Sequence, residues 1–307
     1  MDPSPRFLRS KATIRRLYDA CPWLRTCVRA ILRLSLMHAP LRLLWLQKLY
    51  NFFAADVSPH GIIACKLSVR PFSRVPVALD MGDEICNRMY FFGFRGGYEP
   101  ETTAFLRNNI RDKKCFFDIG ANVGYYTLLA AEWMQQGSQI HAFEPSPEVF
   151  QQLQRTVRHA RGAANIHLSS TALSNTDGKA AFYLPTNGAW TLGSLTQDFS
   201  YARGGTPIQV PTTRLDTYCH THGVPRIDLI KMDVEGAEKQ VLEGMGDLLS
   251  KWAPAIICEV LDWYGDALED FFGKLPYRKY VLTPKGAKQV DRIKPDAVFR
   301  DYYLEPA

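Results

Sequence analysis

Four acidic residues each follow a short apolar run, at points where a buried strand could end. They are Asp118, Glu144, Asp233 and Glu259. In an open α/β sheet, ligands bind outside the carboxyl ends of the parallel strands. We therefore expect these carboxylates to line one rim of a sheet, where a carboxylate can bind a hydroxyl group or take its proton.

A glycine turn follows the first of these runs. Gly120 and Gly124 flank a turn where the backbone must pass close to a ligand, and apolar residues at helical spacing continue to Ala131. Free amides of the helix N-terminus would then face the end of the strand. Glu144 ends the next run, where a carboxylate can accept two hydrogen bonds from a ribose diol. The pattern predicts a site for a nucleoside cofactor.

Two nucleoside cofactors compete for this site. A dinucleotide usually accompanies the spacing G-x-G-x-x-G, which Gly120 and Gly124 do not fit. Asp118 would repel a pyrophosphate, but it suits the ammonium and sulfonium groups of S-adenosylmethionine. The carboxylate of that cofactor could use the helix amides. The residues favour S-adenosylmethionine, and an NAD-dependent oxidoreductase is the alternative.

Three blocks of the sequence resemble the FkbM family of S-adenosylmethionine-dependent methyltransferases. They read DIGANVG at 118–124, FEP at 143–145 and DLIKMDVEGAE at 228–238. The region of resemblance extends from about Tyr98 to Tyr280. The resemblance implies a class I methyltransferase fold, which is an α/β Rossmann-like sheet that is mostly parallel with an antiparallel edge strand. It also implies O-methylation of a hydroxyl on a sugar, glycan or natural-product acceptor.

The residue pattern and the resemblance together predict roles for individual residues. The cofactor contacts that we expect are Asp118, Gly120, Ala121, Asn122, Gly124, Glu144, Pro145, Ala172 and Leu173. A neutral alcohol is a feeble nucleophile and needs a nearby base, for which Asp233 and Glu235 are the candidates. Lys231, Glu259 and His141 are weaker candidates. Alternatively, Asp233 only ends its strand and Glu235 is favoured by the dipole of the next helix.

Metal assistance is not demanded by the spacing of these acids, so no metal is expected, although two of them could hold a magnesium ion. A non-catalytic cofactor-binding scaffold at a membrane surface remains a third functional alternative. Binding of nucleic acid is not expected, because the region after residue 70 is slightly acidic and lacks a basic patch with stacking aromatic residues.

Positive charge is concentrated near the N-terminus. Residues 1–70 carry a formal net charge of +9, and the remaining 237 residues carry −3. Apolar residues from Ala12 to Phe53 recur largely at helical intervals, with breaks at Pro22 and Pro40, and predict two or three amphipathic helices. These helices would pack on the catalytic domain or on a second copy in a homodimer. Alternatively, their basic face makes peripheral contact with an anionic membrane.

The location that we expect is the cytoplasm, with the inner membrane surface as the place of any peripheral contact. The seven cysteines are scattered, which is typical of reduced thiols. We divide the chain into a basic helical region (1–60), a transition region of short strands (61–97) and a methyltransferase domain (98–307). The short strands are predicted at Ile62–Leu67, Val75–Leu79 and Arg88–Phe94.

The methyltransferase domain alternates strands with helices. Ser146 is expected to cap the helix after Glu144, with Pro147 at the first helical position. The last segments, Tyr277–Leu282 and Ala297–Tyr303, are expected to form an antiparallel pair at the edge of the sheet. The span 186–205 is too long for an ordinary connection, and it either lines a substrate pocket or forms a surface loop.

Overall fold

The structure is a computed structural model. It describes residues 22–38, 50, 59–70, 73–94, 97–158, 160, 164–184, 193–196, 206–295 and 298–307. The chain divides into two compact units, one comprising 1–74 and 78–98 and the other 75–77 and 99–307. The division into three regions that the sequence suggests stays a prediction.

Within the described residues, the first unit contains two helices and most of a two-stranded sheet. Its elements are α1 (Pro22–His38), β1 (Ile62–Arg70), β2 (Ser73–Asp80) and α2 (Glu84–Phe92). Helix α1 begins at Pro22, which the sequence suggested as a break, and the other helices predicted between 12 and 53 lie almost entirely outside the described residues. No helix in the described part of the chain is both long and apolar enough to cross a membrane.

The strand predicted at Arg88–Phe94 is wrong, because this segment lies mostly within α2. Asp83 is the N-cap residue of that helix, and its carboxylate accepts a hydrogen bond from the amide of Cys86 at 2.8 Å. The segment has apolar residues at nearly every position, so its pattern could not distinguish a strand from a buried helix. The capping residue was the signal that the prediction overlooked.

The second unit is built on an eight-stranded sheet. Its helices are α3 (Pro100–Asn109), α4 (Tyr125–Trp133), α5 (Pro147–Val157), α6 (Leu215–Thr221), α7 (Glu238–Glu243), α8 (Asp247–Trp252) and α9 (Gly265–Phe272). The strands of the main sheet are β3 (Cys115–Ile119), β4 (Gln139–Phe143), β5 (Asn165–Ser169), β9 (Leu229–Met232), β10 (Ala255–Glu259), β11 (Tyr277–Thr283), β12 (Gly286–Val290) and β13 (Asp301–Pro306). The order across the sheet is β12-β11-β13-β10-β9-β3-β4-β5.

Five neighbouring strands of this sheet, from β10 to β5, run parallel. Strand β13 runs antiparallel to β10, β11 runs antiparallel to β13, and β12 forms an antiparallel edge. The predicted mostly parallel α/β sheet with an antiparallel edge strand is confirmed. The edge itself is β12, which the sequence did not reveal because its residues are largely exposed and give no apolar run.

A second, three-stranded sheet packs into the same unit. Its strands are β6 (Ala172–Ser174), β7 (Gly178–Leu184) and β8 (Thr206–Arg214), in the order β6-β8-β7. Strand β6 runs parallel to β8, and β7 runs antiparallel to it. The short segment 193–196 extends this sheet, because Ser194 forms an isolated bridge with Tyr183. This sheet brings β6 and residues 193–196 to the carboxyl ends of the main strands.

Candidate functional site

A cleft with about 590 Å³ of open space lies at the carboxyl ends of β3, β4 and β9. Six of the residues predicted to bind cofactor line it: Gly120, Asn122, Glu144, Pro145, Ala172 and Leu173. Asp233 and Glu235, the two predicted bases, line the same cleft. The structure therefore brings together residues that lie far apart in the sequence, as the rule for open α/β sheets predicts.

Glu144 is fixed by the backbone on both sides. Its Oε2 accepts a hydrogen bond from the amide of Asn122 at 3.1 Å, and its Oε1 accepts one from the amide of Ser146 at 2.9 Å. Burial raises the pKa of Glu144 to about 7, although the two amides oppose this shift. Ser146 is the N-cap residue of α5, as predicted, but its side chain makes no capping bond. Glu144 therefore holds the chain at the start of α5 through the backbone amide of the N-cap residue.

The glycine turn is shaped by the neighbouring strand. Gly120 has φ +77°, and a Cβ added there would lie 1.8 Å from the carbonyl oxygen of Asp233. The amides of Gly120 and Ala121 donate to the carbonyl of Phe143 at 3.1 and 2.8 Å. The sequence assigned the close approach to a ligand, but the group that requires glycine here is the backbone of Asp233. Asn122 continues the turn with φ +51°, a conformation that asparagine tolerates.

Three residues predicted to contact cofactor do not line the cleft. Asp118 is fully buried within β3, and its carboxylate accepts a hydrogen bond from the Thr127 hydroxyl at 2.5 Å. Burial raises the pKa of Asp118 to about 6, opposed by the charge of Lys231. Ala121 packs in a small apolar cluster behind the turn. Gly124 is the N-cap residue of α4 with φ +91°. Their direct contact with a cofactor stays a prediction, and their visible role is to support the turn.

Lys231 is a buried cation among carboxylates. Its Nζ lies 3.1 Å from Oδ2 of Asp233 and 5.0 Å from the centre of the Tyr126 ring. The Tyr126 hydroxyl donates to Glu99 at 2.6 Å. Burial alone would lower the pKa of Lys231, but attraction to Asp233, Glu99 and Asp118 outweighs burial and raises it. Lys231 is therefore charged at neutral pH and cannot act as a base.

Asp233, Glu235 and Glu259 form a carboxylate trio, in which one oxygen of each lies within 4.8 Å of the others. Burial alone would raise the pKa of Asp233, but Lys231 outweighs burial and lowers it. Burial and the charge of Asp233 raise the pKa of Glu235 to about 9. Repulsion by Asp233, together with burial, raises the pKa of Glu259 to about 12.

Protons reduce the charge of this carboxylate trio. At neutral pH the shifts favour an ionised Asp233 and protonated Glu235 and Glu259, which lowers the repulsion among the three groups. The three oxygens are close enough to hold a divalent cation. Acidic clusters also occur without a cation, and here protons and Lys231 already reduce the repulsion.

The turn after β9 carries backbone strain that sequence reasoning missed. Glu235 has φ +56°, which is uncommon for a residue with a side chain, and Gly236 has φ +96°. Oε1 of Glu238 accepts hydrogen bonds from the amides of Val234 and Gly236, both at 3.2 Å. Burial raises the pKa of Glu238 to about 7. The available signal was a glutamate in the first turn of a helix, a position favoured for binding free amides.

His141, a weak candidate for the base, does not line the cleft. It is buried, its ring stacks on Phe117, and its Nδ1 lies 3.0 Å from the Tyr218 hydroxyl. Burial lowers the pKa of His141 to about 3, so the ring is neutral.

Gly193 and Leu195, from the span 186–205, do line the cleft. The described part of the span 186–205 thus borders the cleft, as one of its two interpretations expected.

Comparison with known proteins identifies the family to which this sequence is similar. The Methyltransferase FkbM domain family matches residues 118–280. The 2-O-methyltransferase NoeI of Sinorhizobium fredii is 33% identical over 146 residues, which are 44% of this chain and 58% of that protein. The 31-O-demethyl-FK506 methyltransferase FkbM of Streptomyces tacrolimicus is 27% identical over 185 residues, covering 52% and 70% of the two chains.

The hexuronic acid methyltransferase AglP of Haloferax volcanii is 26% identical over 157 residues, covering 49% of this chain and 58% of that protein. The chain thus spans 58% to 70% of the lengths of these relatives. The family match includes the glycine turn, the end of β4 and the acidic turn after β9. Because it covers more than half of the 307 residues, this chain belongs to the FkbM methyltransferase domain family.

Proposed function

We propose that this protein is an S-adenosylmethionine-dependent O-methyltransferase that acts on a hydroxyl of a sugar, glycan or natural-product acceptor. One observation carries the proposal. The carboxyl groups of Asp233 and Glu235 border the same cleft as Glu144 and the glycine turn. The names of two relatives, NoeI and FkbM, specify methyl transfer to an oxygen, and the name of AglP specifies a hexuronic acid. These names support oxygen as the acceptor atom.

The lining of the cleft fits a nucleoside. Each oxygen of Glu144 uses one acceptor position on a backbone amide and keeps another, so the carboxylate can still accept from ribose hydroxyls. Pro145, Ala172 and Leu173 offer apolar surface for an adenine ring. S-adenosylmethionine carries its methyl group on a sulfonium. When an oxygen attacks the methyl carbon, the bond from that carbon to sulfur breaks, and the sulfur leaves as a neutral thioether. The chain must orient the acceptor and remove its proton.

Glu235 is the proton acceptor in this proposal. A general base works best when its pKa lies near the working pH, because a higher pKa strengthens the base but keeps it protonated. The pKa of Glu235 is raised to about 9, so this residue is a strong base once it is ionised at alkaline pH. Asp233 is a weaker base, because its pairing with Lys231 lowers its pKa. Asp233 instead holds Lys231 in place and strengthens Glu235 as a base through its negative charge. Turnover is then expected to rise with pH until Glu235 is ionised.

Calorimetry of the full chain with S-adenosylhomocysteine and with NAD tests the cofactor. We expect binding of S-adenosylhomocysteine and no binding of NAD, since Gly120 and Gly124 do not give the dinucleotide spacing. A screen of hydroxylated sugars and natural products for methyl transfer then tests the reaction. Binding of NAD alone would favour the oxidoreductase. Binding of S-adenosylhomocysteine with no methyl transfer to any acceptor would favour the non-catalytic scaffold.

Two partner proposals concern the basic N-terminal region. We propose peripheral contact of residues 1–60 with an anionic membrane, supported by the concentration of positive charge there. Co-sedimentation with phosphatidylserine vesicles at low and high salt tests this contact, because it weakens with salt.

We also propose that the protein forms a homodimer, which sedimentation velocity would detect. A species that stays monomeric at all concentrations would contradict the second proposal.

A further inference from the structure

The strained turn at Glu235 is held from outside by a segment of chain some 40 residues earlier. A non-glycine residue with positive φ costs about 1 to 3 kcal/mol and persists only where its surroundings fix it. The amides on either side of Glu235 are fixed by Glu238. Its carbonyl oxygen is fixed by Ser194, whose hydroxyl donates at 2.8 Å, and by Thr196, whose hydroxyl donates at 3.2 Å.

Ser194 is itself rigidly placed. It is fully buried, and its amide and carbonyl pair with the backbone of Tyr183 at 3.2 and 2.8 Å. Its hydroxyl oxygen also accepts a hydrogen bond from the amide of Thr196 at 2.9 Å. The Ser194 hydroxyl also lies 3.0 Å from the Thr196 hydroxyl, and either of the two can donate to the other. Of the two hydroxyls, that of Ser194 lies nearer to the Glu235 carbonyl, at 2.8 Å against 3.2 Å. The second sheet thus holds one peptide group of the acidic turn.

The peptide group held in this way determines where a reactive side chain lies. With its backbone in the left-handed conformation, Glu235 has a carboxyl oxygen within 4.8 Å of one oxygen each of Asp233 and Glu259. Relaxation of φ to a negative value would rotate the Cα–Cβ bond and carry the carboxyl group away from Asp233. We propose that Ser194 is a positioning residue that fixes the Glu235 backbone and so keeps the Glu235 carboxyl group beside Asp233 and Glu259. This inference rests on the proposed role of Glu235 as proton acceptor.

The test compares two buried serines in the full chain. Ser194→Ala removes the donor to Glu235. Ser138→Ala is the matched control, because Ser138 is also fully buried and its hydroxyl donates to the carbonyl of Lys113 at 3.2 Å. Ser138 precedes β4, at the end of the strands opposite the cleft. Both variants lose one hydroxyl bonded to a carbonyl, and only Ser194→Ala releases the acidic turn.

We expect Ser194→Ala to lower kcat about tenfold, which corresponds to about 1.4 kcal/mol. Its affinity for S-adenosylhomocysteine should stay within about twofold of the wild type, because one hydrogen bond of about 1 kcal/mol is lost away from the cofactor contacts. Ser138→Ala should keep its kcat. Thr196→Ala should lower kcat less than Ser194→Ala, and Thr196→Ser, which keeps the hydroxyl, should restore it.

A second readout does not depend on turnover. The ionisation of Glu235 can be followed by NMR of ¹³C-labelled glutamate, with Glu235→Gln assigning the signal. Ser194→Ala should lower the pKa of Glu235 by about one unit, because the released carboxyl group moves away from Asp233 and towards water. The other charges that act on Glu235 come from Glu238, Lys231 and Glu99, and they are the same in both serine variants.

The possible failures can be told apart. Absence of methyl transfer by the wild type would contradict the proposed function, while the NMR titration would still test Ser194. An unchanged pKa of Glu235 in Ser194→Ala, or equal shifts in Ser194→Ala and Ser138→Ala, would overturn the positioning role. Loss of S-adenosylhomocysteine binding in parallel with kcat would also overturn it. If Ser194→Ala does not fold, Ser194→Cys, whose thiol is a much weaker donor, decides by the same titration, and an unchanged pKa of Glu235 there overturns the proposal.

Discussion

The two sides of the cleft are built by different physical means. On the side formed by the glycine turn and the end of β4, backbone amides fix a single carboxyl group, Glu144. On the side formed by the ends of β9 and β10, ionisable side chains face each other: Asp233, Glu235 and Glu259 lie together beside Lys231. On the first side, hydrogen bonds to the backbone fix the carboxyl group. On the second side, electrostatic interactions among neighbouring carboxyl groups and a lysine determine which groups carry protons.

This difference matches two different tasks. A carboxylate held by amides keeps its position whether or not it is protonated, which suits recognition of a ligand. Carboxyl groups that repel one another have pKa values pushed far apart, and such pairs can divide the roles of acid and base between them. We therefore expect changes on the first side to alter cofactor affinity and changes on the second side to alter turnover.

The largest expected effect comes from the one contact that joins both sides. In Gly120→Ala the new Cβ would lie 1.8 Å from the carbonyl oxygen of Asp233, so the two turns must separate. We expect loss of S-adenosylhomocysteine binding and a fall of at least about 3 kcal/mol in the free energy of unfolding. Calorimetry and urea denaturation measure these effects. Gly137→Ala is the control, since Gly137 has φ +81° with open space around it. Equal effects in both variants would contradict the clash.

The second effect tests the acidic side alone. Glu235→Gln should lower kcat by roughly 10² to 10⁴, because proton removal by a general base contributes about this much. Affinity for S-adenosylhomocysteine should be nearly unchanged. Glu243→Gln, a half-exposed glutamate of the nearby helix α7, is the control and should keep full turnover. Methyl transfer with radiolabelled cofactor measures kcat.

The same assay separates the two acids. Asp233→Asn should lower turnover and also lower the pH at which turnover rises, because the charge that raises the pKa of Glu235 is removed. Loss of cofactor binding in Asp233→Asn would assign Asp233 to the cofactor. Full turnover in both Asp233→Asn and Glu235→Gln would rule out this mechanism and leave Glu259 as the carboxyl group to test.

The third effect tests the recognition side. Glu144→Ala removes the acceptor for the ribose hydroxyls and should weaken S-adenosylhomocysteine binding by about 1.5 to 3 kcal/mol, the range for a hydrogen bond to a charged group. Turnover at saturating cofactor should change far less than in Glu235→Gln. Glu148→Ala, an exposed glutamate in the first turn of α5, is the control. Unchanged affinity in Glu144→Ala would show that the adenosine lies elsewhere.

A smaller effect is an unusual dependence of stability on pH. Four buried carboxyl groups of this unit have pKa values raised to about 6 or 7: Asp118, Glu144, Glu238 and Asp301. Between about pH 4.5 and 7 the folded protein therefore binds more protons than the unfolded chain, and stability falls as pH rises. His141 opposes this, since its pKa is lowered to about 3. One histidine does not cancel four carboxyl groups.

We therefore expect a higher Tm near pH 5 than near pH 7.5, measured by scanning calorimetry. Glu238→Gln should reduce the difference, because a neutral amide at this position has no proton to lose. A Tm that rises with pH through this range would contradict the raised pKa values.

The smallest expected effect is that of metal removal. Lys231 and the protons on Glu235 and Glu259 already reduce the repulsion within the carboxylate trio. Dialysis against EDTA should therefore leave kcat unchanged. A loss of activity that added magnesium restores would show that the carboxylate trio holds a cation.

Much of the site could be predicted because apolar runs mark the strands. The apolar runs before Glu144 and Asp233 are strands β4 and β9, as the sequence pattern predicts. Once parallel strands are placed, their carboxyl ends must meet, so Glu144 and Asp233 were expected on one rim. The acidic turn could be found for the same reason.

The other features of the fold and the site could not be predicted, because they depend on contacts between residues that no local sequence pattern encodes. Asp118 lies on the rim in the sequence pattern, yet its side chain turns inward to Thr127. Ser194 acts through a hydrogen bond to a residue 41 positions away, inside a span with no regular pattern. The aromatic run around Arg88 fits a strand and a helix equally well, and only the capping by Asp83 decides between them.

The contact between Gly120 and the carbonyl of Asp233 has one more consequence. Since there is no room for a Cβ between Gly120 and this carbonyl, a movement of either turn towards the other displaces it. A ligand that moves one turn then does work on the site of its neighbour, which makes the two binding equilibria thermodynamically linked. Linkage is reciprocal, so an acceptor that tightens cofactor binding must itself be bound more tightly, by the same factor, when the cofactor is present.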